Sequence, residues 1–441
     1  MEENLRQRLT LFGLTSIAVG SCIGSGIFVT PGQIASALGN EWLVLLVWLL
    51  GGGIALCGAL TFAELGGLFP RSGGVYVYLR EAFGELTAFL YGWVILLVIN
   101  TGALAGLCVA FAEYMSVFFP TMSHGDKTAF AAATMAFLTV VNMRGVHISQ
   151  GLANVFMVLK LAAIAGIIAV GVCFYDPAHT PNTWRLATDM PDNLTSALLA
   201  GLIGVFFSVG GWHHATYVAG EAKNAQRVVP RAMLLGVLIV TAMYLLVNVA
   251  YMSLLPLQDI AATNRVAAEA LARVWPGADR VVTIAIALSI FGTISIYTMS
   301  APRIYYAMAR DGIFFEKLAT VHPRWGTPVM SMAIQAVWAM VVLFFFSGLF
   351  EHIITFVTFM DIAFMGLAGV SVFVFRRKLP HKYRPVRAWG YPLIPFVFVA
   401  LSFLFAINTL LEKPGQALPG VFLLAIGIMV FLFLKKIRAK S

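Results

Sequence analysis

Long apolar runs dominate this sequence and limit what it can fold into. Twelve of them follow one another with short polar connections, and most approach the roughly 20 residues that a helix needs to cross a bilayer. Their approximate ranges are 11–38, 42–69, 85–119, 128–143, 150–174, 195–219, 232–255, 281–309, 328–349, 352–375, 391–411 and 416–434. With 60% hydrophobic and 11% charged residues, the chain has too few polar residues to coat a soluble protein. The pattern predicts an all-α polytopic membrane protein with twelve transmembrane helices.

Basic residues set the orientation of these helices. Of the 29 Lys and Arg residues, 22 fall on the side that holds both termini and 6 on the other, and Lys160 lies within the fifth run. The positive-inside rule then places both termini in the cytoplasm of a protein in the cell membrane. The charged start leads directly into a full-length run without a cleavage-type site, so the first helix is expected to be retained.

The net charge and the cysteines argue against nucleic-acid-binding, metal-binding and disulfide-rich proteins. The charge of +9 indicates membrane orientation and not nucleic-acid binding, because charged residues are so few overall. The four cysteines lie inside apolar runs without the spacing of a metal site. No cofactor, metal or disulfide scaffold is therefore expected.

Two glycine-rich segments, 20–28 and 206–212, occupy corresponding places in the first and sixth runs. Clustered glycines at mid-membrane indicate either close helix packing or a broken helix. Because the two clusters recur five runs apart, they favour broken first and sixth helices in two inverted five-helix repeats, with a substrate site at the midplane. A break exposes N–H groups that attract a carboxylate and carbonyls that accept from an ammonium group. A zwitterionic α-amino acid satisfies both.

Four longer motifs indicate a known protein family. They are GSCIGSGIFVTPG (20–32), FPRSGGVYVYLREAFGE (69–85), SVGGWHHATYVAGEAKNAQRVVPRA (208–232) and APRIYYAMARDG (301–312). Together they resemble the amino acid-polyamine-organocation superfamily, and within it bacterial members of the L-type amino acid transporter group. The resemblance covers essentially the whole chain and implies the LeuT-type fold, a 5+5 inverted repeat with two peripheral helices. The implied units are repeats at 1–174 and 195–375, an extracellular connection at 175–194, and two helices with a cytoplasmic tail at 376–441.

The resemblance also implies a substrate site built from the two breaks. The carboxylate-binding loop would be 24–26, the ring of Phe207 would close over the substrate, and Gly211 and Trp212 would shape the side-chain pocket. Ser295 stands near the pocket, where many relatives carry an Asn-Gly pair. Ammonium-binding carbonyls would come from Cys22, Ile23, Phe207 and Gly210. The full implied set is Cys22, Ile23, Gly24, Ser25, Gly26, Phe207, Gly210, Gly211, Trp212 and Ser295.

Lys160 is the most informative single residue. It lies ten residues beyond Gln150, roughly 15 Å along a helix, which weakens the alternative that its side chain snorkels to the surface. An unpaired ammonium in hydrocarbon costs several kcal/mol, so an intramembrane Lys indicates function. In related transporters a Lys at this place resembles a built-in substitute for a sodium ion, and Ser289 or Thr293 would accept its hydrogen bonds. A role as carrier of a coupled proton stays open.

Other ionisable residues suggest a polar pocket or a gate. Asp361 lies deep in its run, where it would pair with a cation, shape substrate choice or serve a structural pair. Glu64 lies near the inner end of the second run, where a solvated or gate-paired carboxylate is expected. The resemblance implies an inner gate of ion pairs around Arg71 and Glu221, and positive-inside anchoring is the plain alternative. Glu113 is interpreted as a helix-end residue.

These observations predict a secondary transporter of neutral L-amino acids that works by alternating access, as a sodium-independent exchanger or uniporter or with proton coupling. A transporter of cationic amino acids or polyamines is the first alternative, and it would need Asp361 or Glu113 to reach the substrate side chain. An intramembrane enzyme using His213 or His214 is a remote alternative, because no paired acid-base or metal constellation is present. The two adjacent histidines are expected to point to different helix faces.

The expected partners are an amino acid substrate and membrane lipid, with no nucleic acid. Animal members of the family join a glycoprotein through a cysteine in the third extracellular connection. Residues 119–128 contain no cysteine. No disulfide-linked heavy-chain partner is therefore expected.

Overall fold

The part of the chain that the structure describes is almost entirely helical. The structure is a computed structural model, and it describes residues 5–175, 190–346, 350–412 and 414–438. Most of the predicted connection 175–194 and the extreme ends of both termini lie outside these residues. In the described part the α-helices are α1 Leu11–Cys22, α2 Gly26–Leu38, α3 Glu41–Leu68, α4 Val75–Phe83, α5 Glu85–Val94, α6 Asn100–Ser116, α7 His124–Met143, α8 Val146–Cys173, α9 Leu194–Val209, α10 His214–Tyr217, α11 Ala225–Leu254, α12 Leu257–Ala262, α13 Val266–Ala272, α14 Ala278–Ser300, α15 Pro302–Arg310, α16 Val329–Phe346, α17 Phe350–Lys378, α18 Leu393–Glu412 and α19 Pro414–Arg438.

Many of these helices can cross a membrane. Within the described residues, nine helical segments are long and apolar enough to do so, and ten if the bent pair of α1 and α2 counts as one span. One segment joins α5 and α6 through a π-helical turn at Ile95–Ile99, and another joins α14 and α15. The helices of the fourth and ninth predicted runs, α7 and α16, are not among these segments. A multi-pass membrane protein is thus confirmed, while the count of twelve spans stays a prediction.

The structure adds helices to the predicted connections. The connection before residue 85 contains α4, which the sequence analysis missed because its charged residues interrupt the apolar pattern. Two glycines with positive φ, Gly73 at 102° and Gly74 at 47°, turn the chain immediately before it. The predicted span 281–309 is divided at Pro302, which occupies the first turn of α15. The connection between the predicted runs 232–255 and 281–309 contains the short helices α12 and α13.

The first helix lies at the centre of the packing. Residues 13–22 of α1 are all buried, and α1 packs against α8, α11 and α14, while α2 packs against α9. Small residues permit the close approach: a Cβ added to Gly236 of α11 would lie 2.6 Å from the Cβ of Ala18. This arrangement places the end of α1, the start of α2 and the end of α9 side by side.

Candidate functional site

The first break lies between α1 and α2. The chain leaves the helix after Cys22 and resumes it at Gly26, with the two axes 42° apart. A Cβ on Gly26 would lie 2.6 Å from Ser208 Oγ and 3.0 Å from Ser208 Cα, so glycine is required there. The first N–H groups of α2 have no acceptor within their own helix. The start of α2 is therefore an anion-attracting end placed directly against α9.

The second break follows α9. Gly210 has extended backbone after Val209, and helical structure resumes as α10 at His214. Gly211 has a φ of +107°, and a Cβ there would lie 2.9 Å from the carbonyl oxygen of Ser21. Backbone conformation and space both demand glycine at this position.

Hydrogen bonds tie the two breaks together. Ser21 Oγ donates to the Gly211 carbonyl at 2.8 Å, and Cys22 Sγ lies 3.2 Å from the Val209 carbonyl. The hydroxyl of Tyr244 on α11 lies 3.2 Å from both the Cys22 carbonyl and the Ser208 carbonyl. The sequence analysis did not single out Tyr244, because its role depends on contacts with two distant segments. The breaks form one hydrogen-bonded unit.

Replacing Tyr244 by phenylalanine is expected to destabilise this unit by about 1 kcal/mol, since a buried hydrogen bond is lost and a carbonyl is left without a donor. Tyr251 on the same helix is a matched control, because its buried hydroxyl has no hydrogen-bond partner among the described residues. Thermal-unfolding midpoints of the detergent-solubilised variants would compare the two. Equal midpoints for Tyr244→Phe and Tyr251→Phe would contradict the bridging role.

Two cavities meet at the breaks. The smaller cavity, of about 80 Å³, is bounded by both ends of the first break and by α14. The larger cavity, of about 150 Å³, is bounded by the second break, the π-helical turn and α17. The smaller cavity is lined in part by Cys22, Gly24, Ser25, Gly26 and Thr293, and the larger in part by Gly210, Gly211, Trp212, His213, His214 and Asp361. The two share walls at Ala103, Phe207, Tyr297 and Val357.

Lys160 lies behind the first break, where it is 2% exposed. Its ammonium donates to the carbonyls of Gly20 and Ile23 at 2.7 and 2.6 Å and to Thr293 Oγ1 at 2.6 Å. These three bonds use all three N–H donors of the ammonium group. Ser289 Oγ, one turn before Thr293 on α14, also donates to the Ile23 carbonyl, at 3.1 Å. The ammonium and both hydroxyls thus hold the unwound backbone of the first break.

Several predicted residues occupy positions other than those expected. Ile23 lines neither cavity, and its carbonyl accepts from Lys160. Ser295 also lines neither cavity, and its hydroxyl accepts from the side-chain amide of Asn142 at 3.1 Å. Glu113, by contrast, lies near the end of α6, as it was interpreted, and accepts from Lys127 at 2.7 Å, away from both cavities.

The histidines correct another expectation. His213 and His214 do not point to different faces, because the regular helix begins only at His214 and both residues line the larger cavity. Their ring centroids are 5.1 Å apart, and His214 Nδ1 lies 2.6 Å from Ser300 Oγ. Asp361 lines the same cavity, and its Oδ1 has no hydrogen-bond partner in the described part of the chain.

Ion pairs lie at the ends of helices next to the connections that are rich in Lys and Arg. Glu221, just after α10, pairs with Arg303 of α15 at 2.7 Å, and both side chains are fully buried. Burial raises the pKa of Glu221, and the charge of Arg303 opposes that rise. Glu64 accepts two bonds from Arg376, at 2.8 and 2.7 Å, and a third from Arg384 at 2.9 Å. Arg71 pairs with Glu81 at the surface, and both side chains are exposed or half-buried.

A family model described as amino acid permease matches residues 9–434. The chain belongs to the amino acid permease family. Among its relatives, the serine/threonine exchanger SteT of Bacillus subtilis is 30% identical over 442 residues, covering 99% of both chains. The human cystine/glutamate transporter is 30% identical across 97% of this chain and 85% of its own. The human b(0,+)-type amino acid transporter 1 is 29% identical across 98% of this chain and 88% of its own.

Membership and relatives confirm the resemblance to the superfamily and to its L-type group. They make the protein an amino acid permease and not an intramembrane enzyme using His213 or His214. The names of these relatives give different substrates. The side-chain specificity of this permease must therefore be inferred from its own residues.

Proposed function

We propose that this permease carries neutral L-amino acids across the cell membrane by alternating access. In this proposal ten of twelve transmembrane helices form LeuT-type inverted repeats of five helices each, at 1–174 and 195–375, joined by an extracellular connection at 175–194. A final unit at 376–441 adds two helices and a cytoplasmic tail, and both termini are cytoplasmic. The observation that carries the proposal is the pair of helix breaks, hydrogen-bonded to each other and bordering two cavities.

The smaller cavity would hold the groups common to all α-amino acids. The substrate carboxylate would bind the N–H groups of 24–26, at the positive end of α2. The substrate ammonium would bind carbonyls of Cys22, Phe207 and Gly210, since that of Ile23 is engaged by Lys160. Phe207, 39% exposed and shared by both cavities, would close over the bound amino acid. Gly211 and Trp212 would border its side chain.

Lys160 would replace a sodium ion. Its three hydrogen bonds join α8, the first break and α14, as a cation between them would. Transport is therefore proposed to be independent of Na⁺, as exchange or uniport, with proton coupling as the variant in which Lys160 releases its proton. No disulfide-linked heavy chain is proposed.

The inner gate would consist of buried ion pairs. Opening toward the cytoplasm requires the segment after α10 to separate from α15, which the pair of Glu221 and Arg303 opposes. Glu64 would tie α3 to α17 in the same closed state. Arg71 is a weak gate member, because an exposed pair is worth only about 0–1 kcal/mol.

A transporter of cationic amino acids or polyamines is the alternative. Asp361 favours it, because this carboxyl group lines the larger cavity and its Oδ1 has no partner in the described part of the chain. Glu113 gives it no support, since it pairs with Lys127.

Counterflow in proteoliposomes tests the proposal. Vesicles loaded with unlabelled alanine are expected to accumulate labelled neutral amino acids, and the rates are expected to be equal in sodium and choline buffers. A pH gradient would reveal proton coupling, and accumulation of arginine alone would establish the alternative. Gly26→Val is the inactive control, because its side chain would collide with Ser208. Absence of flux for every amino acid tested would refute the proposal.

A further inference from the structure

We infer that the larger cavity is a side-chain subsite that selects substrates whose side chain both donates and accepts a hydrogen bond, a hydroxyl or a carboxamide, and that Asn100 and Asp361 recognise it. The inference rests on the proposed function, because it takes the smaller cavity as the site of the α-carboxylate and α-ammonium groups.

The position of the larger cavity supports this role. It adjoins the smaller cavity through the walls formed by Phe207, Tyr297 and Val357. A substrate held by its backbone groups at the first break therefore directs its side chain toward the second break and α17. The cavity of about 150 Å³ has room for several non-hydrogen atoms, since a single water needs about 10–15 Å³.

Two polar groups in its wall have no partner. Asn100 is 2% exposed, and its Nδ2 donates to no acceptor among the described residues. Asp361 Oδ1 likewise accepts from no donor there. Such groups are rare in folded proteins, because each costs about 1–3 kcal/mol when it is buried without a hydrogen bond. One is a donor and the other an acceptor, and both line the same cavity.

Three other polar side chains of the wall, those of His214, Tyr217 and Ser402, already have partners. His214 Nδ1 meets Ser300 Oγ, and the hydroxyl of Tyr217 lies 2.6 Å from that of Tyr91. Ser402 Oγ donates to a carbonyl one turn earlier on α18. Much of the remaining wall is apolar, including Ile54, Ile95, Ile99, Met365 and Phe398. A few polar groups in an apolar wall give a pocket its specificity.

The π-helical turn gives Asn100 its place. It spans Ile95–Ile99, immediately before Asn100, and Ile95, Ile99 and Asn100 all line the cavity. A π turn inserts an extra residue into a helix and occurs frequently at functional sites. Here it shifts the register so that an amide side chain faces the cavity.

Hydrogen-bond chemistry then distinguishes the side chains. A hydroxyl has one donor and two acceptor lone pairs, and a carboxamide has both kinds of group, so either satisfies Asn100 and Asp361 together. An ammonium group only donates, so it would pair with Asp361 and leave the Asn100 amide without an acceptor. An apolar side chain would leave both unsatisfied.

Threonine and valine provide the direct test, because they share a shape and differ by a hydroxyl against a methyl group. In wild-type proteoliposomes loaded with alanine, labelled threonine is expected to enter with at least about tenfold higher uptake efficiency than valine. Equal efficiencies would overturn the subsite and leave the proposed function standing. If no amino acid exchanges at all, the proposed function itself fails.

Variants of the two polar residues test whether they cause the preference for threonine over valine. Asn100→Leu and Asp361→Leu are each expected to bring the threonine-to-valine ratio toward one, while Asp361→Asn, which keeps an acceptor but removes the charge, retains most of it. Thr409→Ala removes a hydroxyl of α18 that donates to the Phe405 carbonyl and lines neither cavity, and its ratio is expected to match wild type within about twofold. Preferential lysine uptake that is lost in Asp361→Asn would overturn the inference in favour of a cation site.

Discussion

Replacing Lys160 by methionine is expected to reduce amino acid uptake by about 100-fold. Methionine keeps a long apolar side chain but removes the ammonium that donates to Gly20, Ile23 and Thr293. Hydrogen bonds to a charged group contribute about 1.5–3 kcal/mol each, and the neutral hydroxyls of Thr293 and Ser289, which also donate to these carbonyls, replace the ammonium only in part. A net loss of about 3 kcal/mol at the first break corresponds to somewhat more than 100-fold in the population of the binding-competent state.

Initial uptake rates in proteoliposomes, normalised to the amount of folded protein, would measure the effect. The neighbouring variant Leu159→Ala is the matched control, because Leu159 is 43% exposed on the outer face of the same helix and should transport normally. Normal uptake by Lys160→Met would disprove the role of Lys160 as a cation substitute. If Lys160→Met still exchanges amino acids but its uptake no longer depends on pH, Lys160 would instead be identified as the proton carrier.

The sequence predicted the first break and its support because both depend on local signals. Glycine clusters stand out in an apolar run, and a lone Lys far from any helix end must find partners inside the protein. Ser289 or Thr293 was predicted to accept from Lys160, and Thr293 does so at 2.6 Å. Ser289 instead donates to the Ile23 carbonyl that Lys160 also binds.

The sequence could not predict which groups of the unwound segments face the cavity. The direction of the Ile23 carbonyl and of the adjacent histidines depends on φ and ψ angles that follow no helical period. The Ser295 hydroxyl accepts a hydrogen bond from Asn142, which is 153 residues away in the sequence. Tyr244 and Asn100 were missed for the same reason, since a single polar residue in an apolar run gives no sign of its distant neighbours.

The ion pairs at the ends of the helices were also not predictable from the sequence. Glu221 and Arg303 both lie in the recognised motifs. They are 82 residues apart, and no sequence pattern predicted that they form an ion pair. Arg71, which was expected at the gate, is instead bound to Glu81 on the surface. The Glu221–Arg303 pair is fully buried, whereas the Arg71–Glu81 pair is exposed, so the buried pair is predicted to contribute more to a closed gate.

Replacing Arg303 by methionine is expected to destabilise the permease by about 3–5 kcal/mol, because it leaves Glu221 buried without its cation. Arg303 donates to both carboxylate oxygens through Nε and Nη2, and its Nη1 donates to the Met299 carbonyl. Arg303→Lys is expected to recover only part of the loss, since an ammonium cannot reproduce the two-pronged geometry. Thermal-unfolding midpoints of purified protein would measure both variants.

The surface pair supplies the control for that experiment. The side chains of Arg71 and Glu81 are 54% and 35% exposed, so Arg71→Met should cost no more than about 1 kcal/mol. The double variant Glu221→Leu/Arg303→Met removes both buried charges and is expected to be more stable than Arg303→Met alone, because no unpaired charge remains. If the pair also closes the inner gate, a cysteine-reactive probe should reach the smaller cavity at Cys22 from the cytoplasmic side faster in the double variant than in wild type. An unchanged labelling rate together with recovered stability would show that the pair supports the fold without holding the gate.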